Sequence, residues 1–512
     1  MNQFWGVDAD PTAQGRIKGA KPVAVLDIGS NSVRLVVYER HARALTVLYN
    51  EKTACALGRG MASTGRLSEE NMVRALTAIQ RFALVTRLMQ AGSVHVLATS
   101  AVREASNRDE FVSAVEAVME VPVRVLGGQE EAHFAALGVV AGIPGFTGLV
   151  GDLGGGSLEL SAIVNGEDSG GETHELGVIR LDDDSDGVPT KAVALASERL
   201  KNSALLRKRG GMFGAIGGTW RSLAKLHQEQ RRYPLHMVQH YIVRSQDIVR
   251  LCDQIVEAST ERRPYPGSVG VSSSRRDLVP FGAAVLAEVI RAGAIKTVVF
   301  SALGVREGYL YGLLDAAEQA VDPLMQAAEE MSVLRSRSPQ HAHDLIAFSD
   351  DFLAAIGFSE TAEETRLRKV ACLLSDIGWR GHPDYRGEQS IDLVAYGSIA
   401  GVDHPGRAFL AEVLAVRYMG LKHKSVSQAM ISLAGPVHST RARLLGALFR
   451  VAYPMSAAMP GVLQRTRFSM EDGALLLHLP TDLAFLAGEH LQARLDQLAS
   501  TADIEKAVIR AG

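Results

Sequence analysis

Two stretches of this chain share one grammar: AVLDIGSNSVRLVV at 24–37 and GLVGDLGGGSLEL at 148–160. In each, an apolar run ends in Asp, a turn of Gly and small polar residues follows, and a second apolar run begins. Asp27 and Asp152 hold matching places. Short apolar runs rich in β-branched residues, bounded by glycine, read as strands joined by a tight turn. One such hairpin constrains little. The same hairpin at the head of two successive stretches predicts a duplicated unit and restricts the chain to folds that can hold both.

The stretches between them fit that expectation. The segment LSEENMVRALTAIQRFALVTRLMQAG reads as a helix with Ser68 as N-cap, Glu69 and Glu70 in the first turn, and Gly92 as stop. Its Met72, Leu76, Ile79 and Ala83 fall on one face. SVHVLATS alternates as a strand, RDEFVSAVEAVME reads as a short amphipathic helix, VRVL as a strand, and a helix begins near Glu130. The cycle then restarts, with strands at TGLVGDLGG, LELSAIV, MFGAIGG and KTVVFSA among helical segments. Strands alternating with helices predict α/β layers. After about Asp322 the pattern becomes almost wholly helical to 450. A strand–turn–strand–helix unit closes the chain, with Asp472-Gly473 as the hairpin turn. The expected parts are a flexible tail (1–21), two α/β domains (22–142 and 143–318), an all-α domain (319–452) and a small α+β unit (453–512).

A chain of 512 residues is too long for one ordinary core. Its net charge of −3 does not suggest a generic nucleic-acid or membrane binder. The charge is uneven: residues 201–280 hold 14 Lys/Arg against 6 Asp/Glu. Three separated cysteines give neither a disulfide framework nor a zinc spacing. The N-terminus lacks the basic-then-apolar pattern of a signal peptide, and no apolar run reaches membrane-spanning length. A cytoplasmic protein is expected.

Glycine lets a backbone approach a ligand closely, and successive N–H groups in a turn form an anion-binding concavity. Ser30, Asn31 and Ser32 in the first turn, and Gly154, Gly155, Gly156 and Ser157 in the second, are therefore candidate phosphate binders. A carboxylate at the end of each preceding strand would repel phosphate but suits Mg²⁺, which keeps waters and takes few protein carboxylates. This nominates Asp27 and Asp152. Glu159, two residues beyond Ser157, falls on the same face of the outgoing strand. A third glycine turn, AIGGTWRSLA, adds Gly217 and Gly218 at a helix N-terminus. Neither hairpin is a P-loop, because no Gly-Lys-Ser/Thr follows, nor a dinucleotide fingerprint, because a strand follows each turn. Either hairpin alone would read as structural; the pair favours phosphate binding.

DIGSNS, DLGGGSLEL and IGGT resemble the phosphate motifs of the actin-like ATPase superfamily. More narrowly, together with LATSAVREASN at 97–107, LGGQEEAHFAALGV at 126–139 and VFSALGVREGYLYG at 299–312, they resemble the exopolyphosphatase and guanosine pentaphosphate phosphatase family. The resemblance covers about 22–315. It implies two ribonuclease H-like domains with the active site in the cleft between them, Mg²⁺ as cofactor, and hydrolysis of terminal phosphate from polyphosphate or pppGpp. By position, Glu131 matches the family's general base, with Glu130 adjacent and separated from it only by alignment. Arg103 matches an arginine that contacts phosphate, and Asp152 and Glu159 match residues implicated in Mg²⁺ and water positioning.

The helical half resembles an HD phosphohydrolase domain. The metal-binding His-Asp pair is here Ser375-Asp376, with His382 and His404 remaining, so a non-catalytic HD-like module is expected, closing a groove or forming the interface of a homodimer. The basic stretch suggests a wall guiding a polyanion, with Arg207, Lys208, Arg209, Arg231, Arg232, Arg262 and Arg263 as candidates; solvated helix faces and loops are the equal alternative. The leading function is an Mg²⁺-dependent exopolyphosphatase. A pppGpp 5′-phosphatase, a sensor of polyphosphate or guanosine tetraphosphate with weak turnover, and a sugar or acetate kinase are the competing ones.

Overall fold

A computed structural model describes residues 16–207 and 210–512 of the chain. The expected tail lies outside the described residues up to position 15. The chain divides after Val321 into two compact units.

The unit spanning Gly19–Val321 contains two sheets. The first has β1 (Val23–Ile28), β2 (Ser32–Tyr38), β3 (Val47–Ala54), β4 (Ser93–Ala98) and β5 (Val123–Val125), in the order β3-β2-β1-β4-β5. The second has β6 (Gly148–Leu153), β7 (Leu158–Val164), β8 (Glu167–His174), β9 (Met212–Ile216), β10 (Tyr241–Arg244) and β11 (Thr297–Phe300). Its order, read from β8, is β8-β7-β6-β9-β11, with β10 added antiparallel at the far edge. The first three strands of each sheet are antiparallel, and the next two run parallel to the first. The duplication expected from the two turns is therefore a duplicated sheet topology.

Three strands escape the sequence patterns for one reason. β3, β8 and β10 lie at sheet edges, with mixed or polar faces such as EDSGGETH. Their pairing to a buried neighbour, rather than their own apolar content, holds them extended. The helix Glu69–Leu88 begins as expected, with Ser68 Oγ accepting from Asn71 N at 3.3 Å. Its end differs: Gln90, at φ 51°, takes the left-handed position, while Gly92 N already donates to Pro22 O. Gly92 thus leads into β4 and is not the helix stop.

The unit from Asp322 onward is helical through Ser456, with long helices at Pro323–Arg335, Pro339–Ala355, Ala362–Leu374, His404–Met419 and Pro436–Ser456. It ends in β12 (Arg467–Glu471) and β13 (Ala474–Leu479), joined at Asp472 and Gly473. Both turn residues have positive φ, as a two-residue hairpin requires. A last strand, β14 (Lys506–Ala511), pairs parallel with β13 and was not legible in the sequence. Asp376, of the altered His-Asp pair, is ion-paired with Arg337 at 2.7 Å and Arg417 at 3.5 Å. His404 is buried, whereas His382 is exposed beside Asp384.

Candidate active site

The two hairpins close identically. Gly29 N donates to Ser32 O at 3.0 Å, and Gly154 N to Ser157 O at 3.0 Å. The amides of Ser30, Asn31, Gly155 and Gly156 donate to no backbone carbonyl among the described residues. The carbonyls of Gly154 and Gly155 are used differently: they accept from Val178, Ile179 and Arg180 at the start of the next helix. That helix sits so close that a Cβ on Gly177 would lie 2.2 Å from the carbonyl carbon of Gly156. The two turns also approach each other, since a Cβ on Gly155 would meet Cβ of Ser30 at 3.0 Å. Two sets of uncommitted backbone donors thus converge on one cleft of about 1110 Å³.

Ser30, Asn31, Ser32, Gly154, Gly155, Gly217 and Gly218 line this cleft. Gly217 must be glycine: its φ is 109°, and a Cβ there would lie 2.4 Å from Leu153 O. Gly156 faces a second, smaller cavity behind the turns, and Ser157 is buried with its hydroxyl unpartnered.

Asp27, Asp152 and Glu131 line the same cleft. Glu131 is 7% exposed and accepts from Arg103 at 2.9 Å. Burial pushes its carboxyl up to about 7, Arg103 opposes this, and Asp152 and Asp27 add to it. The adjacent Glu130 is occupied elsewhere. It accepts from Gly127 N at 3.0 Å, capping the helix Gly128–Gly142, and pairs with Arg124 at 2.7 Å. The helix-start role that any glutamate here could take belongs to Glu130, and the buried position belongs to Glu131. Asp152 is pushed up to about 6, chiefly by burial, with Arg221 opposing.

Glu159 lies directly across from Asp152 in the β6–β7 ladder. It is 1% exposed, does not reach the cleft surface, and neither of its carboxylate oxygens has a partner. Burial first, then Glu131, holds its carboxyl well above the usual range. Arg103 also stops short of the cleft surface. Its guanidinium donates to Glu131 at 2.9 Å and to Leu126 O at 3.0 Å, which fixes the Glu131 carboxylate.

Asp27, expected beside a metal, is held by Arg306 at 2.6 Å. Arg306 also lies 3.7 Å from Glu307, which accepts from Tyr38 Oη at 2.7 Å and Gly304 N at 2.9 Å.

Sequence reasoning missed the cations. Arg34, Lys52, Arg221, Arg275 and Arg306 all line the cleft. Two of them follow from sheet register: Asp27 pairs with Arg34, and Arg34 with Lys52, forming one row across β1, β2 and β3. Cross-strand partners share a face. The matching row of the second sheet is Asp152, Glu159 and Thr173. Aligning the two turns would have found Arg34, which occupies the place of Glu159. One hairpin therefore ends in an Asp–Arg pair and the other in an Asp–Glu pair. Lys52 is pushed down to about 8 by burial and then by Arg275 and Arg34, and Arg221 down to about 10 by burial and Arg306. No carboxylate lies within ion-pair distance of Lys52, Arg221 or Arg275 among the described residues. The cleft is thus short of negative charge.

The expected basic wall is corrected by the structure. None of Arg207, Arg231, Arg232, Arg262 and Arg263 lines the cleft, and Lys208 and Arg209 lie outside the described residues. Arg231 caps the end of the helix Gly218–Gln230, and Arg232 and Arg262 lie in turns with φ of 47° and 56°. Among the described Lys and Arg of that stretch, only Arg221 and Arg275 line the cleft.

The fold and site together define an α/β protein of the actin-like class, with two glycine turns converging on one cleft. The chain belongs to the Ppx/GppA phosphatase family, which it matches over residues 36–317. Residues 324–509 match the exopolyphosphatase C-terminal domain. The first turn lies ahead of the matched stretch and stands on its geometry. Among relatives, exopolyphosphatase 2 of Mycobacterium tuberculosis is 28% identical over 296 residues, covering 52% of this chain and 90% of that protein. Retrograde regulation protein 2 of Saccharomyces cerevisiae is 24% identical over 460 residues, 80% of this chain and 75% of that one. A guanosine-5′-triphosphate,3′-diphosphate pyrophosphatase of Aeromonas hydrophila is 26% identical over 321 residues, 59% of this chain and 62% of that one. The crystal structure of an exopolyphosphatase from Cytophaga hutchinsonii superposes with a TM-score of 0.51 at 25% identity, covering 57% of this chain and 97% of that one. Among the described residues no helix is long and apolar enough to cross a membrane.

Proposed function

We propose that the cleft hydrolyses the terminal phosphoanhydride of inorganic polyphosphate. The observation that carries this reading is the convergence of two turns with uncommitted amides on a cleft that also holds a buried glutamate and cations lacking counter-charges. The terminal phosphate rests against the amides of both turns and the hydroxyls of Ser30 and Ser32. Water attacks its phosphorus from the side of Glu131, whose carboxylate takes the proton. The bond to the next phosphate's bridging oxygen breaks in line, and that oxygen leaves with the shortened chain. Arg103 fixes the Glu131 carboxylate for this step. Arg34, Lys52 and Arg275 neutralise the phosphates behind the one being cleaved. Phosphoryl transfer needs little beyond such positioning and charge compensation.

A divalent cation fits the second hairpin better than the first. Asp152 and Glu159 face each other across β6–β7, and Glu159 lacks any partner for its buried carboxylate, whereas Asp27 is committed to Arg306. No group of three or more His, Cys, Asp or Glu among the described residues is arranged to hold a metal. Two carboxylates with waters and substrate oxygens suit Mg²⁺. Mg²⁺ bound there would neutralise charge on the phosphates.

Glu131 works as a base only when ionised. The rate is therefore expected to rise with pH through about 7 and level off above it, because the raised pKa leaves the acid form dominant below that point. A pH–kcat profile checks this; a limb confined to pH 4–5 would contradict it. The same shifts affect stability. Carboxyls raised in the folded state stabilise it while protonated, and that contribution is lost as pH climbs through about 6 for Asp152 and about 7 for Glu131. A cation bound by Asp152 and Glu159 offsets the loss. Mg²⁺ should accordingly raise the melting temperature more at pH 8 than at pH 5, and equal shifts would count against cation binding here.

Hydrolysis of pppGpp at its 5′ end is the second reading, favoured by the similarity to the Aeromonas enzyme. Phosphate release from long-chain polyphosphate and from pppGpp, measured in parallel, separates the two. Much faster turnover of pppGpp would transfer the assignment to it.

A further inference from the structure

Cleavage at a chain end leaves its small product beside the two turns, behind the shortened chain. This inference rests on the exopolyphosphatase reading. Behind the two turns lies the second cavity, of about 350 Å³. It shares Ser30, Ser100, Gly155 and Ile179 with the cleft. The partition is thin: Ser30 Oγ and Ser100 Oγ are 2.9 Å apart, and glycines complete it. A Cβ on Gly156 would lie 2.9 Å from Ser100 Oγ, so nothing larger than hydrogen fits that edge without movement. Two rotatable hydroxyls, two glycines and the Ile179 side chain form this wall, and Ile179 and the two hydroxyls must swing aside for an anion to pass. Each hydroxyl can exchange its partner for a phosphate oxygen.

On its far side the second cavity reaches the surface at Asp183 and Glu104, both exposed. Arg180 stands between, paired with Glu104 and, at 2.7 Å, with Glu175. The lining thus carries a small negative excess, whereas the cleft is lined by Arg34, Lys52 and Arg275. A polyanion is repelled from the first and drawn to the second, while a single small anion is repelled far less at the acidic rim. We propose that orthophosphate leaves through this second cavity, past Ser30 and Ser100, while the shortened polyphosphate stays in the cleft for the next cut.

Met61 lines the second cavity and not the cleft. Met61→Trp should fill it. Rapid-quench single-turnover cleavage of long-chain polyphosphate should stay within about 2-fold of wild type, because chemistry is untouched. Free phosphate, followed by a fluorescent phosphate sensor, should appear about 10-fold more slowly, with a burst of enzyme-bound orthophosphate, as when product release limits turnover. Tripolyphosphate should be slowed much less, since its pyrophosphate remnant vacates the cleft. Met61→Ala, which opens the cavity, should release at least as fast as wild type. Wild-type release by Met61→Trp of unchanged melting temperature, or equal slowing of both substrates, overturns the exit route. Absence of any single-turnover cleavage by the wild type overturns the exopolyphosphatase reading itself, and the route with it.

Discussion

Glu131→Gln is expected to lower phosphate release by about 10²–10⁴-fold, the usual effect of losing a positioned general base. The amide can still accept from Arg103, so the local geometry should survive. Burial disfavours the ionised form of Glu131, so removing the charge should not destabilise the fold. Polyphosphate affinity, measured by filter binding or calorimetry, should stay close to wild type, because the turns and the cations are untouched. Glu130→Gln is the matched control. Glu130 is surface-exposed, caps a helix and pairs with an exposed arginine, a pairing worth about 0–1 kcal/mol. Its turnover should remain near wild type. Equal loss in both variants would place the effect in the helix start and remove Glu131 from the chemistry.

Gly308→Ala should be the most damaging methyl in the catalytic unit. The helix Val305–Gly312 crosses Gly128–Gly142 at Gly308, where a Cβ would lie 1.8 Å from Phe134 O and 2.5 Å from Gly138 N. Both are backbone atoms, so no side chain can turn aside. Overpacking in a core typically costs about 1–3 kcal/mol, and a backbone clash this close belongs at or above the top of that range. The crossing also carries function: one helix starts beside Glu131 and the other beside Arg306, which holds Asp27. Urea denaturation should show a lower midpoint, and any folded fraction should show reduced turnover. A wild-type midpoint would mean that the two helices slide apart at little cost.

Much of the catalytic unit was legible because its signals are local. Each turn lies within a few residues of sequence, so Asp27, Ser30, Asp152 and Gly155 announce themselves. Their repetition predicted the duplicated sheet. Glu131 needed the family motif, since a glutamate at a helix start is ordinary; only the structure separates it from Glu130. The cleft's cations were hidden for a different reason. Arg34 and Lys52 are 18 positions apart and become neighbours only through the β2–β3 register. Arg306 reaches Asp27 from 279 residues away. The basic stretch misled because net charge along a sequence says nothing about which side chains a fold turns inward. Arg231 and Arg232 sit at a helix end, while Arg221, one residue after a buried tryptophan, reaches the cleft. The edge strands were missed because their extension is imposed by neighbours.

A cleft that cuts polyphosphate one residue at a time from its end leaves a distinctive set of products. The most direct test incubates purified protein with long-chain polyphosphate and Mg²⁺, then resolves all products by chain length. Orthophosphate should be the small product, no short oligophosphate should be released, and Glu131→Gln should release orthophosphate about 10²–10⁴-fold more slowly. Bound but intact polyphosphate would contradict end-cutting and mark the two turns as a holding site. Release of short oligophosphates alongside orthophosphate would contradict it too, because cutting at the end removes one phosphate at a time.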